Sequence, residues 1–385
     1  MGTKFLALGL SLCLVLSSFY EVSCQVGAVT DEVVKPSSML DQIAGFSVSV
    51  SGEPPLLFTF GDSSYDVGNT KFFSSEFDPA TTWPYGDSVD DPTGRWSDGH
   101  IVPDFVGRLI GQREPIPPVL DPKADLSRGA SFAIAGAVVL GSQSKTVTIN
   151  FVQQISKFVE LHKKWSDKER ADAIYMINIG ADDYLNFAKA HPNANPVEQI
   201  AHVANVLQRI SRELMSLYRS GGARKFVVQN LGPLGCLPIV RQEFKTGENC
   251  MEMVNFMVTE HNVRLSRLLA MMTVPYRGLR YSVFDFNGEI LRRINEPSRH
   301  GYTDATTSCC GTGSRNAFVC GYNNVHSKLC SYQKSFLFFD GRHNTEKTDE
   351  EIANLFYSGD KHVVSPVNIR DLVGKSVSDL PVQEI

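Results

Sequence analysis

Two short segments carry the residue types that acyl chemistry requires. Gly61-Asp62-Ser63-Ser64 follows the apolar run Leu56-Leu57-Phe58-Thr59-Phe60, and Asp340-Gly341-Arg342-His343 follows Phe336-Leu337-Phe338-Phe339. A serine hydroxyl is a poor nucleophile until a base takes its proton. A carboxylate three residues before an imidazole can accept a bond from one ring nitrogen and fix the tautomer whose other nitrogen faces that hydroxyl. Ser63 as nucleophile, His343 as base and Asp340 as its orienting acid would together perform acyl transfer. A second Gly86-Asp87-Ser88 copy has no apolar strand before it and reads as loop. The histidines at 100, 162, 191, 202, 261, 300, 326 and 362 show no spacing suited to a metal, and they are assigned no role.

The elements that must hold these groups are strands alternating with helices. Ala173 to Ile179, Lys225 to Gln229 and Tyr281 to Phe286 repeat the nearly continuous apolar pattern of Leu56 to Phe60, as strands buried on both faces do. Asn195 caps a helix with Pro196 in its first turn; Val197, Ile200, Val203, Leu207, Ile210, Leu214 and Leu217 recur at three or four until Gly221-Gly222. Phe151 to Trp165, Met251 to Met272 and Glu350 to Phe356 show weaker stripes. This alternation predicts an α/β sandwich with a mainly parallel sheet and functional groups at the carboxyl ends of its strands.

Composition narrows the class. The 385 residues are 42% hydrophobic and 21% charged, which excludes a disordered chain, and a net charge of −5 without a basic block argues against nucleic acid as a partner. Lys4, the apolar stretch Phe5 to Phe19 and Val22-Ser23-Cys24 read as a secretory signal over residues 1–24, with Gln25 first in the mature chain. Residues 25–53 read as an N-terminal extension, 54–375 as one large domain and 376–385 as a tail. Beyond the signal no run reaches the ~18 apolar residues of a membrane span, so no stable membrane span is expected. Removing Cys13 and Cys24 leaves Cys236, Cys250, Cys309, Cys310, Cys320 and Cys330. An even set in a secreted chain favours disulfides over zinc, since no Cys-x-x-Cys pair exists; proximity favours Cys236 with Cys250 and two local links among the rest.

Further motifs appear in order: Phe58-Thr59-Phe60-Gly61-Asp62-Ser63-Ser64-Tyr65-Asp66-Val67-Gly68-Asn69, Gly94-Arg95-Trp96-Ser97-Asp98-Gly99, Asn230-Leu231-Gly232-Pro233-Leu234-Gly235-Cys236 and Asp340-x-x-His343-x-Thr345-Glu346. The sequence resembles a plant GDSL esterase/lipase of the SGNH hydrolase superfamily from about residue 55 to 360. Asp183-Tyr184-Leu185-Asn186-Phe187 and Phe338 to Glu346 resemble the branch containing myrosinase-associated proteins and the epithiospecifier modifier. The resemblance implies a flavodoxin-like three-layer αβα fold and hydrolysis of a small or lipid-like carboxylic ester by Ser63, His343 and Asp340; no cofactor is expected, and no residue spacing points to a metal. The resemblance also implies an oxyanion hole made by the Ser63 N–H, an N–H at Ala135 (Gly136 in an alternative alignment) and a side chain at Asp182.

Two of those positions depart from the family pattern. Ala135 stands where glycine is usual, and Asp182 replaces an asparagine. An ionised Asp182 has no proton to give and would oppose a developing negative charge, whereas a protonated one could donate; a turn or helix cap is the structural alternative. The branch resemblance therefore supports a second reading beside the hydrolase: a catalytically weak protein that binds myrosinase or another glucosinolate-hydrolysis protein, the hydrolase itself being linked to glucosinolate breakdown that favours isothiocyanates over nitriles. The compartments left open are the extracellular space and the vacuole, with endoplasmic-reticulum-derived bodies by family analogy.

Overall fold

The computed structural model describes residues 53–73, 77–141, 149–322 and 325–374. The expected signal, nearly all of the N-terminal extension and the C-terminal tail lie outside these residues. Five strands, β1 (Leu57–Gly61), β2 (Gly129–Ser131), β3 (Ile174–Asn178), β4 (Lys225–Gln229) and β5 (Arg280–Phe284), run parallel in the order β5-β4-β3-β1-β2. The short strand Val364–Ser365 joins the β5 edge antiparallel.

Strand side chains alternate between the two faces of a sheet, and here both sets are apolar. Phe58, Phe60, Tyr175, Ile177, Phe226 and Val228 enter one buried cluster. Leu57, Ile174, Met176 and Val227 enter another on the opposite face. The helices Phe151–Leu161, Pro196–Arg219 and Glu252–Met272 cover the first, and Val102–Leu109, Phe286–Asn295 and Glu346–Ser358 cover the second. The result is the three-layer αβα sandwich that near-continuous apolar strands require.

Helix limits follow local chemistry. Asn195 accepts from the backbone N–H groups of Val197 and Glu198 while Glu198 reaches back to the Asn195 N–H, a capping box ahead of Pro196. The last stripe begins earlier than the expected Glu350, at Glu346, because its first turn is polar and shows no periodicity. The expected strand from Tyr281 stops at Phe284, and Asp285 caps a helix starting at Phe286 by accepting from the Gly288 N–H.

Disulfides join Cys236 to Cys250, Cys309 to Cys330 and Cys310 to Cys320. The last two staple the segment beside the strand Phe336–Phe338: the N–H groups of Cys309 and Cys310 donate to the carbonyls of Phe338 and Phe339 at 3.0 and 2.7 Å. The scaffold behind Asp340 is thus covalently closed.

Candidate active site

The end of β1 is held tightly. Gln154 bonds both backbone groups of Gly61, accepting from its N–H at 2.9 Å and donating to its carbonyl at 2.8 Å. Gly61 has φ +156°, and a Cβ there would lie 2.2 Å from the Asn178 carbonyl oxygen of β3, so only glycine lets the chain leave the sheet at this point. Asp62 follows, buried, its Oδ1 accepting from the Ser64 N–H, and Ser63 is presented half-buried at the carboxyl edge of the sheet.

The second segment forms a tight turn. Asp340 Oδ1 accepts from the backbone N–H groups of Arg342 and His343 at 2.8 and 2.9 Å. His343 Nδ1 lies 2.9 and 2.8 Å from the two carboxylate oxygens, and the Tyr85 hydroxyl donates to Oδ2 at 2.7 Å. Gly341 permits the turn because a Cβ there would lie 2.2 Å from the Ala317 carbonyl, inside the disulfide-tied loop. Burial alone would raise the Asp340 carboxyl, but the His343 ring and these donated bonds hold it below the usual carboxylate value. With Nδ1 facing a carboxylate, it carries the proton and Nε2 is left as an acceptor. Nε2 lies 2.7 Å from Ser63 Oγ. Two residues 280 positions apart in the chain meet at hydrogen-bonding distance.

A cavity of about 70 Å³ opens beside this row. Leu185, Leu231, Leu234, Leu237, Phe286 and Ile290 line its apolar part, while Asp62, Ser63, Asp182, Arg342 and His343 supply charge and polarity. Trp96 also borders it and packs against the His343 ring with centroids 5.2 Å apart. Away from the cavity, Trp165 is buried in the core, Phe73 is half-buried, and Trp83, Phe72 and Phe77 are exposed.

The two remaining positions implied for the oxyanion hole separate. Asp182 reaches the cavity from the first turn of the helix Ala181–Ala190, where its Oδ1 accepts from Arg342 Nη1 at 2.9 Å. Its neighbour Asp183 turns away and accepts from the N–H groups of Val139 and Leu140; burial pushes that carboxyl up to about 6 against those bonds. Ala135 is not among the residues lining the cavity: its N–H donates to Asp66 Oδ2 at 2.9 Å and Thr70 Oγ1 at 3.1 Å. Arg342 and Tyr85 were not marked by sequence reasoning as site residues. Arg342 carried one usable signal, a basic residue inside the Asp340-x-x-His343 motif in a chain where an acid replaces the asparagine at 182.

The family model described as GDSL-like lipase/acylhydrolase matches residues 57–356. The chain belongs to that GDSL family. A GDSL esterase/lipase of Arabidopsis thaliana is 85% identical over 345 residues, covering 89% of this chain and 95% of its own. GDSL esterase/lipase ESM1 from the same plant is 50% identical, covering 82% of each chain. Another Arabidopsis relative, at 45% identity over 86% of this chain and 85% of its own, is named an inactive GDSL esterase/lipase-like protein 23. Membership of the GDSL family implies hydrolase chemistry on esters. The disulfides are consistent with a secreted protein, and among the described residues no helix is long and apolar enough to cross a membrane.

Proposed function

We propose that this GDSL protein is a serine hydrolase of small carboxylic esters. One observation carries the reading: the continuous row from Asp340 through His343 to Ser63, with 2.8 Å and 2.7 Å between successive partners. Ser63 Oγ attacks the ester carbonyl carbon while His343 Nε2 takes its proton; the carbonyl electron pair moves to oxygen. Collapse breaks the bond to the alcohol, which leaves with the proton from His343, and water, activated by the same imidazole, then releases the acid and restores Ser63. Asp340 stabilises the imidazolium in both halves. The apolar part of the cavity, lined by Leu185, Leu231, Leu234 and Leu237, suits the hydrocarbon part of an acyl group.

Purified protein is expected to hydrolyse p-nitrophenyl acetate and butyrate, and Ser63→Ala to abolish this; a fluorophosphonate probe should label Ser63. Equal rates for the two forms would end the hydrolase reading. On the same reading residues 1–24 are removed as a signal and the protein follows the secretory pathway.

The departure at Asp182 and the relative named inactive favour a second reading, in which the chain is catalytically weak and acts by binding. Its partner would be myrosinase or another protein of glucosinolate hydrolysis. In a reconstituted mixture with myrosinase, Ser63→Ala protein should then still change the nitrile-to-isothiocyanate ratio. No change from either form would remove this reading.

A further inference from the structure

We propose that the Arg342 guanidinium, held in place by Asp182, is the donor that meets the negative oxygen formed when Ser63 adds to an ester. The inference rests on the hydrolase reading and concerns how its charge is met. Three donors are implied by the family pattern, and two of them are not available in the implied form. An ionised carboxylate at 182 accepts only, the Ala135 N–H is bonded to Asp66 and Thr70, and Gly136, the alternative to Ala135, is exposed and does not line the cavity. The Ser63 N–H remains, with no acceptor among the described residues. One backbone donor is a weak answer to a full negative charge.

Arg342 supplies what is missing. Its side chain borders the same cavity as Ser63 and His343 and is 36% exposed, while that of Asp182 is 15% exposed. A guanidinium carries five N–H donors, and among the described residues its only side-chain bond runs from Nη1 to Asp182 at 2.9 Å. Nε and Nη2 are left for a ligand. The residue is also placed with the base: its backbone N–H donates to Asp340 and it immediately precedes His343 in the same turn. Bonds from a charged donor are about twice as strong as neutral ones. Asp182 then acts as a positioning residue. Its charge balances Arg342 before reaction and its oxygen fixes the direction of the fork, so the acid that looks hostile in the sequence becomes the anchor of a cation.

In the step itself, the Ser63 Oγ–C bond forms, the Oγ proton passes to His343 Nε2, and the carbonyl π pair becomes the oxyanion facing Arg342. No proton leaves the guanidinium, and the charge is released when the alcohol departs.

The test is steady-state hydrolysis of p-nitrophenyl acetate, a neutral ester, by the whole protein. Arg342→Gln is expected to lower kcat by about 10²–10³ with KM changed by less than about threefold. Asp182→Asn, which loosens the cation without removing it, should lower kcat by about tenfold. Added methylguanidine should restore part of kcat to Arg342→Ala and nothing to Ser63→Ala, a response that a merely structural arginine would not give. That rescue, together with Arg342→Lys at an intermediate kcat, reads the proposal even if the glutamine variant does not fold. Should Arg342→Gln keep the wild-type kcat, should Asp182→Asn gain activity, or should methylguanidine fail to act on Arg342→Ala, the proposal is overturned. The hydrolase reading survives any of these as long as Ser63→Ala is inactive; wild-type protein no faster than Ser63→Ala ends that reading instead.

Discussion

The two walls of the cavity are built differently. On the base side, Asp340 receives the Tyr85 hydroxyl, two backbone N–H groups and the His343 ring, and the Cys309–Cys330 and Cys310–Cys320 staples back the strand before it. On the other side, Asp182 reaches the cavity with one ion pair to Arg342. The base side is over-determined, since several independent bonds fix each group. The other wall depends on one charged contact, so it can change with a single substitution while the base side stays intact.

Asp340→Asn tests the first wall and should have the largest effect. An amide in place of the carboxylate no longer fixes the reactive tautomer, and the loss in kcat on p-nitrophenyl acetate should approach about 10⁴-fold, with a loss of stability in urea at pH 7 because the bonds to the Asp340 charge go with it. A loss under tenfold would show that the bonds around Asp340 are structural and would dissolve the contrast between the walls.

The contrast also marks what the sequence made legible. Ser63 could be read as a candidate because Gly61-Asp62-Ser63 leaves the carboxyl end of the central strand β1, where an α/β sheet presents its chemistry. The strand before Asp340 and His343, Phe336–Phe338, instead pairs with Asp304–Ser308 in a separate two-stranded sheet, so that pair was marked only by its own spacing after an apolar run. The strands themselves were visible because both faces are buried, leaving continuous apolar letters. The two-residue strand Val364–Ser365 and the three-residue β2 were not: too few residues carry any period, and their pairing is decided by β5 and β1. Arg342 and Tyr85 stayed hidden for a related reason. Their meaning lies in partners 160 and 255 positions away, and only folding shows which acid each one meets.

Asp62 lies between the walls and gives the next effect in size. It is 1% exposed, and its Oδ2 has no hydrogen-bond partner among the described residues. Burial, helped by the Asp182 charge, pushes it up to about 7 from 3.8. The sign follows from linkage: the unfolded chain ionises near 3.8 and the folded one does not until near 7, so the folded state loses stability as pH rises across that window. At about 1.4 kcal/mol per pH unit the loss reaches about 4 kcal/mol at most. Asp62→Asn keeps the acceptor for the Ser64 N–H and removes the titration. Urea unfolding should find the variant stabilised relative to wild type at pH 8 by up to that amount more than at pH 4. An equal difference at both pH values would show that Asp62 is ionised in the folded protein and belongs electrically to the exposed side of the site.

Tyr85→Phe should give the smallest effect and measures how far the base wall is over-determined. The hydroxyl donates to a buried carboxylate at 2.7 Å, and hydrogen bonds to charged groups contribute about 1.5–3 kcal/mol. Because the two backbone N–H groups and the imidazole remain on Asp340, its geometry should persist and kcat should fall by about tenfold or less. Stability should show the same bond with a definite pH dependence. Asp340 is held below its ordinary 3.8 in the folded state, so the stabilisation from its partners is present above that value and is lost as pH falls through the lowered one. The deficit of Tyr85→Phe in urea unfolding should therefore be full at pH 7 and shrink toward pH 3. A deficit that did not change with pH would mean that the lost hydroxyl matters for packing against Trp96 and Phe339, its aromatic neighbours at 5.5 and 5.2 Å, and not for the charge on Asp340.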